Sequence, residues 1–328
     1  MSSVEVPQLA ARLHRTKLVP LCLPTPYPVG PVWVYLLRGE PLTLIDTGPR
    51  TRAAWESLKK QLAAFNLRPQ DLERVLITHG HHDHMGLARR FQGYGARVYA
   101  HRADRNNLAL RRSFRRLNQA LAQLGVKAAQ RLRMFVGLWL LDQTSLPLKE
   151  FVPLQDGQEL DYCAGPIRVH HLPGHSPGHL AFQLPEGELW ISGDALLAGK
   201  VPTAVLEPDP DQPERVFPAL SVYRQTLVRL SSSPPQGLLP AHGPAILEVV
   251  ELARTTLAKQ QQRSQLILTH LPPQGCNLPE LLATLYPTAA GLRLFLAYSE
   301  LFGHLLHLQQ EGLVRAEPSP RGLRFHRT

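Results

Sequence analysis

Residues 78–86 read Thr-His-Gly-His-His-Asp-His-Met-Gly and concentrate metal-binding side chains in one short turn. These side chains are His79, His81, Asp83 and His84. The preceding run, Arg74-Val-Leu-Ile-Thr78, is apolar and β-branched until the polar residues begin, which predicts a short buried strand. Burying these four side chains without a cation would leave several polar groups unpaired, with a free-energy cost on the order of several kcal/mol. The stretch therefore predicts a metal site where a strand ends.

The pattern H-x-H-x-D-H in residues 79–84 resembles the signature of the metallo-β-lactamase superfamily. Four other stretches resemble further motifs of that family, in the family's order: Leu44-Ile-Asp-Thr-Gly48, Leu172-Pro-Gly-His-Ser-Pro-Gly-His179, Ile191-Ser-Gly-Asp194 and Leu239-Pro-Ala-His-Gly243. Together these motifs extend over most of the first three quarters of the chain.

The resemblance implies a site for two divalent metal ions. The implied ligands of one ion are His79, His81 and His175, those of the second are Asp83, His84 and His242, and Asp194 bridges the two. Asp46 is implied to hold the metal turn by hydrogen bonds without being a ligand. His179 lies four residues beyond His175 and could orient a ligand, as metal-bound histidines commonly require. Zinc is the expected metal, and manganese and iron accept the same ligands.

Strands and helices alternate along the first part of the chain, which predicts an α/β fold of sheets covered by helices. The resemblance implies the four-layer αββα sandwich of the superfamily. We expect a catalytic domain over residues 1–250 with a helical insertion at 102–150, and a smaller domain over residues 251–328. The proline-rich segment Leu18 to Gly30 is expected to follow an extended path or loop over the surface.

The insertion is amphipathic and strongly basic. Its apolar residues recur at helical spacing, at Leu110, Phe114, Leu117, Leu121 and Leu124. Residues 102–133 contain nine Arg or Lys and a single acid, Asp104. Two interpretations of this basic segment remain. One is a solvated helix face. The other is a basic collar, meaning a positively charged rim of residues 102–133 that attracts an anionic substrate, with Arg112 and Arg116 as candidate contacts. The resemblance implies that the insertion is a lid over the active site, and the alternative is a helical pair that only covers the sheet.

The C-terminal residues predict three helices followed by a hairpin, which is a winged-helix arrangement. This part resembles the C-terminal domain of the beta-lactamase-like branch that includes a mitochondrial endoribonuclease. A domain that reads duplex DNA needs basic side chains on its third helix, and the predicted third helix offers only Arg293. We therefore expect it to pack against the catalytic domain, with no duplex DNA as partner.

Composition describes an ordinary globular protein, with 44% hydrophobic residues and a net charge of +10. The three cysteines are far apart and form no C-x-x-C pair, which fits a reducing compartment. The N-terminal residues lack the apolar core of a secretory signal, and the longest apolar stretch, Met134 to Leu141, is too short to span a bilayer. We expect a cytoplasmic protein without membrane contact, and the oligomeric state stays open.

The implied chemistry is hydrolysis by a hydroxide that bridges the two ions, with Asp83 and Asp194 as the catalytic carboxylates. The first hypothesis is an enzyme for a small anionic ester, thioester or lactone. The alternative is an endoribonuclease for single-stranded RNA, which the basic collar favours. A redox iron protein is a third possibility, which the full set of five histidines and two aspartates disfavours. A true β-lactamase does not fit the expected cytoplasmic location.

Overall fold

The computed structural model describes residues 13–110, 114–185, 187, 189–202 and 205–328. The strands are β1 (Leu18–Leu23), β2 (Val32–Leu37), β3 (Thr43–Ile45), β4 (Arg74–Leu76), β5 (Arg97–His101), β6 (Val152–Leu154), β7 (Glu159–Leu160), β8 (Ile167–His171), β9 (Leu180–Gln183), β10 (Leu189–Gly193), β11 (Gly237–Pro240), β12 (Cys276–Asn277), β13 (Val314–Glu317) and β14 (Arg324–Arg327). The α-helices are α1 (Arg52–Ala63), α2 (His82–Met85), α3 (Ala88–Gly93), α4 (Arg105–Leu108), α5 (Phe114–Gln123), α6 (Ala128–Asp142), α7 (Ala219–Ser232), α8 (Val249–Thr269), α9 (Leu278–Leu285) and α10 (Leu292–Gln310).

The strands form two large sheets and one small one. The first sheet has six strands in the order β1 to β6, and the second has five in the order β11-β10-β9-β8-β7. Strands β3 to β6 run parallel to one another, as do β10 and β11, whereas the other pairs in the two sheets are antiparallel. Parallel strands end at the same edge of a sheet, so the residues that follow β3 and β4 lie together, as do those that follow β10 and β11.

The two large sheets pack face to face. Neighbouring residues in a strand point to opposite faces, so Ile45 and Leu76 enter the core between the sheets while Leu44 and Val75 face the other way. The core between the sheets also contains Phe182 of β9, in the second sheet. This alternation explains why short runs such as β3 and β4 are buried on both sides.

Helices cover the outer face of each sheet. On the first sheet, Leu58 of α1 and Phe91 of α3 are fully buried against the outward side chains. On the second sheet, Tyr223 and Leu227 of α7 pack with Trp190 of β10. The layers are therefore helix, sheet, sheet and helix, and the predicted αββα fold is confirmed.

The insertion and the C-terminal helices share a core of their own. Leu121 of α5 and Leu138 of α6 are buried in one cluster with Leu301 and Leu305 of α10. Helix α8 contributes to two clusters, since Ala253 packs beneath α7 while Ile267 joins the C-terminal cluster. The division at residue 250 stays a prediction, and α8 forms a continuous connection across it.

The segment expected to follow an extended path or loop begins with β1, which pairs with β2 at the edge of the first sheet. An edge strand tolerates Pro20 because one side of its backbone needs no hydrogen-bond partner. The buried side chains of Leu21 and Leu23 hold the strand in place. Within the described part of the chain, no helix is long and apolar enough to cross a membrane.

Candidate metal centre

Loops at adjacent edges of the two sheets bring the predicted ligands together. Residues 79–84 follow β4, and Asp46 follows the parallel neighbour β3. In the second sheet Asp194 follows β10, and His242 lies just beyond β11. His175 comes from the loop between β8 and β9. All seven predicted ligands are placed at one site, although they come from segments more than 150 residues apart in the sequence.

The first group of predicted ligands is His79, His81 and His175, whose potential ligand atoms lie within 4.8 Å of one another. His79 Nε2 and His81 Nδ1 are 3.0 Å apart. Two nitrogen atoms that bind one zinc ion at about 2.0–2.1 Å have a similar separation. Burial, followed by the charges of neighbouring histidines, lowers the pKa of both His79 and His81 well below the ordinary value. They are therefore neutral at physiological pH, which is the form that binds a metal.

The second group is Asp83, His84 and His242. His84 Nε2 lies 3.7 Å from Asp83 Oδ1, and His242 Nε2 lies 3.2 Å from Asp83 Oδ2. Burial alone lowers the pKa of His84, but the carboxylates of Asp46, Asp83 and Asp194 together raise it to about 10. The negative charges that favour an imidazolium here would equally favour a divalent cation, so metal binding would displace a proton.

Asp194 lies between the two groups. Its Oδ2 is 3.5 Å from His175 Nε2, while its Oδ1 is 3.8 Å from His84 Nε2 and 3.9 Å from His242 Nε2. One carboxylate oxygen thus faces each group, as the predicted bridging role requires.

The site fits divalent metal ions. Among the described residues, the buried atoms His84 Nε2 and Asp194 Oδ1 have no hydrogen-bond partner. A buried polar atom without a partner is costly, and a cation between these two atoms would satisfy both. Imidazole nitrogen and carboxylate oxygen suit zinc, manganese and iron alike, so the donor atoms do not identify the metal.

Asp46 holds the metal turn through three hydrogen bonds. Its Oδ1 accepts from the Thr78 backbone N–H at 2.8 Å, and its Oδ2 accepts from Thr78 Oγ1 at 2.7 Å. Oδ2 also lies 2.8 Å from His84 Nδ1, which places the imidazole proton on that nitrogen and leaves Nε2 for a metal. Asp46 has a left-handed backbone conformation (φ 59°), which aspartate adopts more readily than most residues.

His179 contacts the bridging residue. Its Nε2 accepts a hydrogen bond of 3.0 Å from the backbone N–H of Asp194, and its ring stacks on that of His79. Gly193 has a φ of 51°, and a Cβ atom there would lie 2.8 Å from Thr78 Oγ1. A residue with a side chain at position 193 would therefore displace the neighbouring metal turn.

Asp104 was not among the predicted site residues, yet it joins the two loops that supply the first group. Its carboxylate accepts from the backbone N–H of Gly80 at 2.7 Å, from Ser176 Oγ at 2.8 Å and from the backbone N–H of Gly178 at 2.6 Å. Burial raises its pKa, while the three hydrogen bonds favour its ionised form. The only signal in the sequence is its position as the single acid within a basic segment.

The centre opens into a cavity of about 590 Å³. Apolar residues of the insertion and of α10 form much of its wall, among them Leu117, Leu138 and Phe295. Arg116, a predicted substrate contact, also lines the cavity, whereas Arg112 lies outside the described residues. The insertion therefore borders the centre, as a lid would, and the substrate role of Arg116 stays a prediction.

Comparison with known proteins agrees with this geometry. The sequence profile of the metallo-beta-lactamase superfamily matches residues 27–242. The chain belongs to this superfamily. It is 31% identical over 307 residues to the probable metallo-hydrolase YqjP of Bacillus subtilis, covering 90% of this chain and 93% of that protein. It is 25% identical to a beta-lactamase-like protein 2 homolog of Drosophila melanogaster, covering 91% of this chain and 89% of that protein.

Solved structures of superfamily members extend the likeness to the C-terminal part. Metallo-beta-lactamase family protein TTHA1429 of Thermus thermophilus is 30% identical, with a TM-score of 0.82 over 95% of this chain and 98% of that one. A beta-lactamase domain protein of Burkholderia ambifaria has the same fold at 21% identity, with a TM-score of 0.74 over 94% of this chain and 92% of that one. Superfamily membership and the His–Asp centre together make the chain a metal-dependent hydrolase.

Proposed function

We propose that this hydrolase binds two divalent metal ions and cleaves an anionic ester, thioester or lactone. The observation that carries the proposal is Asp194, whose two oxygens face separate groups of three ligands. Bound divalent ions lower the pKa of a coordinated water and stabilise negative charge on the reacting group. Zinc is the metal we expect.

The protein's own residues prepare the centre for those ions. Asp46 orients His84, and His179 holds the backbone of Asp194. The residues of both contacts are buried, so water does not compete for these hydrogen bonds and the ligand atoms are held in position. Ser145 Oγ lies 2.8 Å from His82 Nδ1, but Ser145 is buried and does not line the cavity, and no serine or cysteine is among the described residues of the cavity wall.

The cavity supports a small substrate with an apolar part. Its wall combines leucines, valines and prolines with a few cationic side chains, which suits an acyl group attached to an anionic group. A segment of 118 residues is also 33% identical to the atrochrysone carboxyl ACP thioesterase of Emericella nidulans, covering 36% of this chain and 34% of that enzyme. This likeness supports a thioester among the three bond types.

Metal removal tests the proposal. We expect dialysis against a strong chelator to abolish hydrolysis of a panel of esters, thioesters and lactones, and added zinc, manganese or iron to restore it. Because the ions bind only the folded state, the stripped protein should also unfold at a lower temperature. Full activity of the stripped protein would overturn the metal mechanism.

Single-stranded RNA remains the alternative substrate, since the basic insertion could bind phosphates. RNA cleavage should then weaken steeply with added salt, because bound counterions compete for each phosphate contact. Thioester turnover that is insensitive to salt, with no cleavage of oligonucleotides, would exclude the RNA hypothesis.

We further propose that residues 251–328 form a winged-helix-like domain. The order of elements from α8 to β14 is helix, strand, helix, helix, strand, strand, and β12, β14 and β13 form one small sheet, which supports this assignment. Its helix α10 packs against the insertion. This supports a role in building the substrate cavity rather than in reading duplex DNA, and a cytoplasmic location stays a prediction.

A further inference from the structure

Three cationic side chains from separate parts of the chain line the metal-site cavity. They are Arg116 of α5, Lys200 in the loop after β10, and Arg293 in the first turn of α10. All three are exposed, so their charges face the cavity and solvent rather than a core. The carboxylates of Asp83 and Asp194 lie 3.2–3.9 Å from histidines of the metal centre. Among the described residues, these carboxylates are therefore paired with histidines and not with the three cations.

Arg293 is available for a ligand. Within the described part of the chain it makes no hydrogen bond or ion pair. Lys200 Nζ donates to the Val29 carbonyl oxygen at 2.7 Å, which uses one of its three donors. Among the described residues of the cavity wall, Glu207 is the one acid that is not a predicted metal ligand, and its Oε2 accepts from Asn107 Nδ2 at 2.7 Å. The wall away from the metal centre therefore has an excess of positive charge.

Apolar side chains line the same cavity. Leu117 and Leu138 of the insertion, Val205 of the loop after β10, and Phe295 and Leu296 of α10 all contribute. A ligand that filled this space would need a hydrocarbon part to contact these residues and a charged part to contact the cations. Neutral acyl compounds would supply only the first of these two parts.

We propose that the anionic group of the substrate is a carboxylate or phosphate, separated by a hydrocarbon arm from the bond that is cleaved. Arg293 binds this group, with Lys200 and Arg116 contributing charge. The inference rests on the proposed hydrolase function for the reaction, but the anion site itself is a binding property. It makes α10, and thus the C-terminal part of the chain, a determinant of substrate specificity.

Direct binding tests the anion site without turnover. We would titrate the metal-loaded protein with linear dicarboxylates from butanedioate to dodecanedioate and with the monocarboxylate of each length. Either compound can place one carboxylate at the metal centre. The difference in affinity between the two compounds therefore reports on the second carboxylate of the dicarboxylate alone. We expect a preferred chain length, at which the dicarboxylate binds about tenfold or more tightly, as a charge-assisted hydrogen bond predicts.

The variant Arg293→Gln should remove most of this preference and leave monocarboxylate binding unchanged. Arg293→Lys should retain part of it, because a lysine keeps the charge but loses the bidentate geometry. The matched control is Arg254→Gln, which removes an exposed arginine of α8 that does not line the cavity. Equal binding of mono- and dicarboxylates at every length, or a preference that survives Arg293→Gln, would overturn the proposal.

Kinetics then locate the anion within the substrate. Three thioesters would be compared: octanoyl thioglycerol, the octanedioyl half-thioester of thioglycerol, and octanoyl thioglycerol phosphate. If the octanedioyl half-thioester has a higher kcat/KM than octanoyl thioglycerol, and Arg293→Gln removes the difference, the anion belongs on the acyl arm. If octanoyl thioglycerol phosphate shows this result instead, the anion belongs on the leaving group. If none is hydrolysed while the dicarboxylate preference depends on Arg293, the proposed hydrolysis of thioesters fails and the anion site stands.

Discussion

Asp104 shows how one buried carboxylate can determine the shape of a metal site without touching a metal. It accepts hydrogen bonds from the loop after β4 and from the loop between β8 and β9, which supply all three ligands of the first group. A Cβ atom at Gly178 would lie 2.8 Å from its Oδ1, so the loop backbone approaches this carboxylate closely. The spacing between His81 and His175 therefore depends on Asp104.

We expect Asp104→Asn to weaken metal binding by about 10- to 100-fold, as is usual when a residue that supports metal ligands is lost. The amide would present a donor to one of three groups that are themselves donors. Competition with a chromophoric chelator measures the affinity, and Asp211→Asn, an exposed aspartate, is the control. Unchanged affinity in a folded Asp104→Asn protein would contradict the positioning role.

The position of Asp194 leads to a prediction about metal content. Because its oxygens face both groups, we expect Asp194→Ala to lose both ions at a limiting metal concentration. His242→Ala removes a ligand from the second group only, so that variant should retain about one ion per chain. Elemental analysis after gel filtration measures the content. Loss of a single ion from Asp194→Ala would mean that this carboxylate does not bridge.

At the scale of elements, the insertion is tied to the metal turn as well as to the C-terminal helices. His82 Nδ1 lies 2.8 Å from Ser145 Oγ, and its Nε2 lies 3.2 Å from Asp142 Oδ1 at the end of α6. The one histidine of the motif that is not a predicted ligand therefore connects the turn to the lid. Movements of α6 would be transmitted to the ligands on either side of His82.

Helix α6 packs against the rest of the protein through one face. Two of its leucines should therefore differ in their contribution to the free energy of unfolding. Leu138 is 2% exposed and Leu132 is 65% exposed. We expect Leu138→Ala to lower the free energy of unfolding by about 2–5 kcal/mol, since it leaves a cavity between the insertion and the C-terminal helices. Leu132→Ala should change it by no more than about 0.5 kcal/mol. Urea unfolding compares the two variants, and equal effects would mean that α6 is packed differently.

At the scale of the whole molecule, a buried histidine links stability to pH. His304 of α10 is 4% exposed, and its Nδ1 lies 2.8 Å from Ser264 Oγ of α8. Burial lowers its pKa to about 3, and the charge of Arg263 acts in the same direction. In the unfolded chain the pKa is about 6.5. Between these values the unfolded state binds more protons, so stability falls as the pH decreases from about 6.5 toward 3.

We expect this one group to contribute a slope of at most about 1.4 kcal/mol per pH unit to the free energy of unfolding. His304→Gln should make the slope between pH 6 and pH 4 shallower, while His270→Gln, at an exposed position, should not change it. Urea unfolding at a series of pH values measures both. Parallel curves for wild type and His304→Gln would show that His304 is not neutral in the folded protein.

The resemblance of five short motifs to those of the superfamily implied the ligand set, and the structure brings these residues together at one site. The apolar run before the metal turn likewise predicted a strand, which the structure shows as β4. For residues 18–30 the prolines left both an extended path and a loop open, and the structure shows β1 at the start of this segment. A single proline is compatible with an edge strand, and whether a strand lies at an edge depends on the partners it finds in the fold.

The sequence by itself determined the donor atoms available to the centre, because histidine nitrogen and aspartate oxygen are atoms that divalent cations prefer as ligands. Only the tertiary structure decided which further residues support the centre, border its cavity or are buried far from it. Asp104, Arg293 and His304 carry no local pattern, and their roles come from loops and helices that meet across the fold. Hydrogen bonds and burial act through space, so residues far apart in the chain acquire their roles only when folding brings them into contact.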